Sequence, residues 1–351
     1  MKEKDLAKYY KMLSYMRPAG SKGERDYLKR FIDNVKGMSQ DKYGNRYVVV
    51  NGDTDKVTTM FSSHTDTVHR ESGRQKLFID DFTKSVFSNG ANCLGADDTT
   101  GNFIMLTMIS HKIPGLYVFH QDEEIGGMGS EYFSREVKDY WPDLERCIAF
   151  DRQGLNSVIT HQLGRCCSDA FADALAEQLS TKKRTWVKDS TGVFTDSANY
   201  VDEIPECTNL SVGYYNEHTT SEYQDTKFLI GFINKVLEVD WDSLPTIRDV
   251  NDVSDPWWEY YQDECGYGNG YGNRTTATTV PSNVLGTRKA SSNIYDDNHV
   301  GINEHGQWDN EKAYYDVEQM VWEDPATAVK VLCDYYGVNE ETVLWKRQKK
   351  A

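Results

Sequence analysis

The chain of 351 residues has no run of about 18 apolar residues, so no segment is suited to cross a bilayer as a helix. It has no CxxC pair, and its seven cysteines are an odd number, with Cys166 and Cys167 adjacent. A disulfide framework is therefore not expected, and a reducing, cytoplasmic setting is. Basic residues are in deficit: 39 Lys and Arg stand against 55 Asp and Glu, a net charge of −16. Binding to a phosphate backbone needs clustered cations, so nucleic acid is not an expected partner, and neither is a membrane. The opening stretch, "MKEKDLAKYYKML", is charged and lacks the apolar core of a signal peptide.

What is present is an alternation of strand and helix signals. Strand patterns lie at 46–52, 56–64, 116–122, 146–151 and 207–214. Helical patterns lie between them at 99–112, 168–180 and 223–239. Residues 5–37 read as helix, break, helix, with Ser21 and Glu24 spaced as a capping box. This order predicts an α/β, three-layer sandwich around a mixed, mostly parallel central sheet, filling one domain over residues 1–240. The texture then changes. Residues 241–310 are rich in Gly, Asn, Ser and Thr and read as a linker or irregular extension. Apolar spacing returns at 311–351, where Asp324 before Pro325 opens a helix and Gly337 closes one, as a small helical module.

The chemistry-bearing residues cluster at predicted strand ends. His64 and Asp66, in "SSHTDT", are two apart, so an extended chain points both to one side. A metal-binding imidazole needs an acceptor on its second nitrogen, and a neighbouring carboxylate supplies one. "CLGADDTTGN" places Asp97 and Asp98 at a helix start, where one acid suffices as a cap and the other is spare. "HQDEEIGGMGS" concentrates Asp122, Glu123 and Glu124 before a turn that Gly126 and Gly127 permit. There, one of the two glutamates could bind metal while the other handles protons. "AFDRQG" adds Asp151, and "GYYNEHTTSEYQD" adds His218. Ligands gather at the carboxyl ends of strands in open α/β sheets. Read together, the groups form a dinuclear site with nitrogen and oxygen donors and no thiolate, suited to zinc, with manganese or cobalt as alternatives. His69, His111, His120 and His161 read as surface or core residues, and Arg152 or Arg165 as possible grips for a substrate carboxylate.

That ordered set resembles the co-catalytic dizinc peptidase and deacylase superfamily, whose members include zinc aminopeptidases, peptidase T-like tripeptidases and carboxypeptidase G-like enzymes. The matching segments are "SSHTDTVH", "LGADDTTG", "DEEIGGMGS", "AFDRQG" and "GYYNEHTTSEY", with "GVFTDSANY" and "DKYGNRYVV" in support. They cover about residues 1–240. The resemblance implies that His64 binds one metal and is oriented by Asp66, and that Asp97 bridges two metals with Asp98 behind it. It implies Glu123 as general base and Glu124 as ligand, with Asp151 and His218 completing the two spheres. Thr99 and Thr100 depart from the basic or small residue usual after the Asp pair. Asp151 and His218 are 67 residues apart, too few for the lid domain of carboxypeptidase G-like members. The expected function is a zinc-dependent exopeptidase, an aminopeptidase or a di- or tripeptidase. The alternatives are an N-acyl amino acid deacylase or carboxypeptidase, and an inactive scaffold that binds a protein partner through its C-terminal module. The expected substrate is a peptide or an acyl-amino acid.

Overall fold

The computed structural model describes residues 6–52 and 56–251. Most of the expected linker, and all of the expected helical module, lie outside the described residues. The centre is an eight-stranded sheet in the order Val187–Asp189, Ser157–Ile159, Glu206–Ser211, Arg146–Arg152, Thr59–His64, Gly115–His120, Arg46–Val50, Ser39–Gln40. The middle four strands are mutually parallel, Glu206–Ser211 with Arg146–Arg152, then Thr59–His64, then Gly115–His120. Beyond Gly115–His120, Arg46–Val50 and then Ser39–Gln40 add antiparallel, and Ser157–Ile159 runs antiparallel to Glu206–Ser211. Four parallel strands deliver their carboxyl ends to one edge, which is why His64, Asp151 and the segments after His120 and Ser211 share it.

Strand alternation builds both cores. Phe61, Tyr117, Phe119, Ile148, Phe150 and Leu210 face one side, and Met60, Leu116, Val118, Cys147 and Cys207 the other. Helices Leu6–Leu13, Ala96–Ser110, Asp169–Leu179 and Thr226–Val236 cover the first face. Phe133 of helix Met128–Ser134 and Tyr200 of the short helix Asp196–Tyr200 cover the second. The result is the expected three-layer sandwich. Helix Ala96–Ser110 is buried nearly all round, so apolar and small residues occupy every side of it. All five cysteines among the described residues are buried free thiols.

Several local expectations need correction. The pattern at 223–239 is not one helix: Tyr223–Asp225 is a strand, and Asp225 then caps helix Thr226–Val236 by accepting the Phe228 N–H at 2.8 Å. Tyr223 and Gln224 pair with Tyr215 and Tyr214, so residues 214–225 form a hairpin in a small antiparallel sheet with Ser85–Phe87 and Phe78–Asp80. Only half of the capping box forms. Ser21 accepts the Glu24 N–H at 3.2 Å, but the Glu24 carboxylate turns to the Gly20 N–H and the Thr65 hydroxyl. Residues after 240 continue on the same core. Trp241 stands edge-on to Phe61 at 5.0 Å, and Arg146 donates to the Leu244 carbonyl at 3.0 Å. The buried Glu206 carboxylate accepts the N–H groups of Ile247 and Arg248 at 2.7 and 3.0 Å. Between Asp151 and His218 the chain forms three strands of the central sheet and the helices Asp169–Leu179 and Asp196–Tyr200, with no inserted domain.

Candidate metal centre

His64 is the last residue of its strand and only 1% exposed. Its Nδ1 faces the Asp66 carbonyl at 3.2 Å and the Asp66 carboxylate at 3.4 Å. That fixes the ring and leaves Nε2 aimed at Asp97 Oδ1, 2.9 Å away, and Asp151 Oδ1, 3.6 Å away. Asp66 does a second job. Its Oδ1 accepts the N–H of Glu123 at 3.2 Å and its Oδ2 that of Glu124 at 3.1 Å. One buried carboxylate thus aligns the imidazole and pins the turn that carries both glutamates.

Asp97 lies at the middle of the cluster. Oδ1 faces His64, while Oδ2 lies 3.1 Å from His218 Nε2. The same His218 nitrogen is 3.1 Å from Glu124 Oε2. Asp97 and Asp98 open helix Ala96–Ser110 with non-helical dihedrals, and the peptide between them is cis. Donor atoms of His64, Asp97 and Glu124 lie within 4.8 Å of one another, as do those of His64, Asp98 and Asp151. Asp98, however, is committed to the backbone: it accepts the Gly101 N–H at 2.7 Å and the His64 N–H at 3.3 Å. The structure therefore brings His64, Asp66, Asp97, Glu123, Glu124, Asp151 and His218 to one place, with Asp98 behind them.

Further residues complete the surroundings. Tyr214 donates to Asp151 Oδ1 at 2.9 Å and Thr195 to Oδ2 at 2.6 Å, while Asn209 brackets the Asp151 backbone at 2.8 and 2.9 Å. Thr195 belongs to the "GVFTDSANY" segment and Tyr214 to "GYYNEHTTSEY", so a signal for each existed; Asn209 had none. Thr99 receives the buried Arg17 guanidinium at 2.9 Å, and Thr100 pairs with Tyr9 and Gln224 at 2.9 and 2.8 Å. The side histidines separate. His120 is buried against Tyr200 at 2.7 Å and Asp196 at 3.3 Å, His69 is buried against Thr67 at 2.6 Å, and His111 is exposed at a helix end. Arg165 pairs with Asp169 at 3.0 Å, whereas Arg152, next to Asp151, is held by Thr191 at 3.1 and 3.2 Å.

The electrostatics follow from crowding acids in a dry place. Burial first, then Asp151, Asp196 and Asp97, push the Glu123 pKa up to about 10 against the pull of His64. Burial and the Asp97 charge raise Asp151 to about 7 and Glu124 in the same direction. Hydrogen bonds to Asp97 and Glu124 raise His218 to about 11. Burial would lower His64, but Asp151, Asp66 and Asp97 outweigh it and hold it well above its usual value. Glu124 Oε1 is buried with no protein partner. Two imidazoles and several carboxylates, strained by mutual repulsion and with a buried oxygen unmet, are a donor set that fits divalent cations.

No protein-family model matches the chain, and no curated protein matches it. Solved structures do. A tripeptidase from Staphylococcus aureus superposes with a TM-score of 0.54 at 15% identity, covering 68% of this chain and 97% of that one. The aminopeptidase PepT from Bacillus cereus gives 0.54 at 17% identity, covering 66% and 96%. A TET aminopeptidase from a marine-sediment Thaumarchaeota archaeon gives 0.52 at 10% identity, covering 67% and 96%. The chain shares their fold. It is the fold that the motif resemblance implied. Among the described residues no helix is long and apolar enough to cross a membrane.

Proposed function

We propose that the chain is a metal-dependent hydrolase of peptide or amide bonds, an exopeptidase of the aminopeptidase or di- and tripeptidase kind. The observation that carries this reading is the two-sided Asp97, with Oδ1 at 2.9 Å from the imidazole of His64 and Oδ2 at 3.1 Å from that of His218. A carboxylate so placed can join two cation sites, one formed with His64 and Asp151, the other with Glu124 and His218. Two divalent ions held there, zinc by donor type, would acidify a water and polarise the scissile carbonyl.

Glu123 supplies the proton chemistry. Once the charges of Asp97 and Asp151 are neutralised, the repulsion that adds to burial in holding a proton on Glu123 falls. Its carboxylate then accepts a proton from the attacking water and returns it to the leaving amine. Asp66 holds the backbone that carries Glu123 through the N–H groups of Glu123 and Glu124. The acidic surround favours a substrate with a free α-amine. The carboxylate-gripping alternatives, deacylase or carboxypeptidase, rest on Arg152, which follows Asp151 directly. Turnover of free against N-blocked dipeptides by zinc-loaded protein separates them. Preference for the free amine supports the aminopeptidase reading, preference for the blocked substrate the Arg152 reading, and hydrolysis of neither overturns both.

A further inference from the structure

Four residues beyond His218 lies a carboxylate that the proposed chemistry does not use. Glu222 is 1% exposed. Its Oε2 accepts the N–H groups of Leu94 at 2.7 Å and Gly95 at 2.8 Å, and its Oε1 that of Asp97 at 3.1 Å. Three backbone donors from one turn thus converge on one side chain more than a hundred residues away. The turn is tightly packed as well. Gly95 has φ +69°, and a Cβ there would lie 2.6 Å from His69 Cε1, so only glycine fits.

Glu222 also ends the loop that carries His218, one residue before the Tyr215–Tyr223 pair of the hairpin. Its neighbour Tyr223 stacks on Tyr215 at 5.1 Å across that hairpin. At the tip, Asn216 and His218 both have left-handed backbones, with φ of 55° and 63°. The Thr219 hydroxyl closes the loop on the Asn216 carbonyl at 2.7 Å. The hairpin that carries the imidazole and the turn that carries Asp97 are therefore joined through one carboxylate. Chemistry explains why it is an acid. A carboxyl group presents two acceptor oxygens, so Oε1 and Oε2 between them can take all three N–H groups. A carboxamide has one acceptor oxygen, and its NH2 would face a backbone donor.

We propose that Glu222 is a positioning residue that sets the spacing between Asp97 and His218, and through it the cation affinity of the Asp97–Glu124–His218 half of the centre. This deepens the proposed function and rests on it. The test is zinc binding by titration calorimetry and equilibrium dialysis on the full chain, compared among wild type, Glu222→Gln, Glu222→Asp, His218→Ala and the Glu222→Gln/His218→Ala double variant. Wild type is expected to take up two ions. Glu222→Gln is expected to weaken one of them by roughly 10- to 100-fold, the usual cost of losing a partner that orients a ligand. Glu222→Asp, which keeps the acceptor chemistry on a shorter stem, recovers part of the loss. On the His218→Ala background the Glu222→Gln change costs less than about twofold, because the half it serves is already gone. A merely structural role would lower the melting temperature of ion-free protein and weaken both ions alike. Two ions bound with wild-type affinities by both Glu222 variants, or equal losses with and without His218, overturn the proposal. If Glu222→Gln does not fold, the same comparison is read from Glu222→Asp. Wild type that takes up no zinc removes the proposed function, and this inference with it.

Discussion

His64 and His218 both present Nε2 to Asp97, yet one ends a central parallel strand at 1% exposure and the other tops a short hairpin at 52%. The strand-borne half, His64 with Asp151, is placed by the register of the sheet itself. Thr59–His64 and Arg146–Arg152 are hydrogen-bonded neighbours, and both side chains emerge at the same edge. The loop-borne half, Glu124 with His218, has no such ladder. It is placed by carboxylates that gather backbone N–H groups, Asp66 for the glutamate turn and Glu222 for the Asp97 turn. The contrast separates two ways of building precision. Register is insensitive to single substitutions, whereas an N–H cluster held by one acid depends on that acid.

The largest expected effect falls on the residue that belongs to neither half. Glu123→Gln should lower kcat by roughly 10²- to 10⁴-fold, the range for losing a general acid–base. Zinc content measured on the same protein should stay unchanged. Asp66→Asn comes next, because it touches both halves at once. Asparagine has a single acceptor oxygen for the two N–H groups of Glu123 and Glu124 and a weaker acceptor for His64. Zinc affinity should fall by roughly 10- to 100-fold, read by competition with a chelator. A loss confined to one ion would show that Asp66 serves one half only.

Ion-free melting sharpens the contrast further. His64→Ala removes the buried imidazole that Asp97 and Asp151 share and should cost about 3–5 kcal/mol. His218→Ala, at a half-exposed hairpin tip, should cost about 1 kcal/mol or less. Equal losses would erase the distinction between the halves. The smallest effect is expected from ending the chain at Asn251. The described residues already contain the whole constellation, so kcat/KM on a dipeptide should change by less than about twofold, and a larger fall would assign a catalytic part to residues 252–351.

The parts of this centre that the sequence made legible are those encoded in contiguous stretches. His64 with Asp66, Asp97 with Asp98, and Glu123 with Glu124 each sit at the end of a recognisable strand or the start of a helix, so type and neighbourhood could be read together. Glu222 and Tyr214 lie inside the segment "GYYNEHTTSEY", yet their roles were not legible, and neither was that of Asn209, because each acts on a partner dozens of residues away. Tertiary pairing also outweighed periodicity at residues 223–225, which carry the amphipathic phase of the helix that follows but pair with Tyr214–Tyr215 and Ser85–Phe87 instead. The strands Ser157–Ile159 and Val187–Asp189 carry no sequence pattern that places them, because three residues are too few for alternation to register. Glu24 fitted a capping box by spacing, but the Thr65 hydroxyl offered its carboxylate a buried partner at 2.6 Å.

The most direct test of the whole account is anomalous diffraction at the zinc edge from crystals grown with zinc. The account predicts two peaks flanking the Asp97 carboxylate, one against His64 and Asp151 and the other against Glu124 and His218. No peak in the cluster, or a single peak that leaves Asp97 untouched, would contradict it.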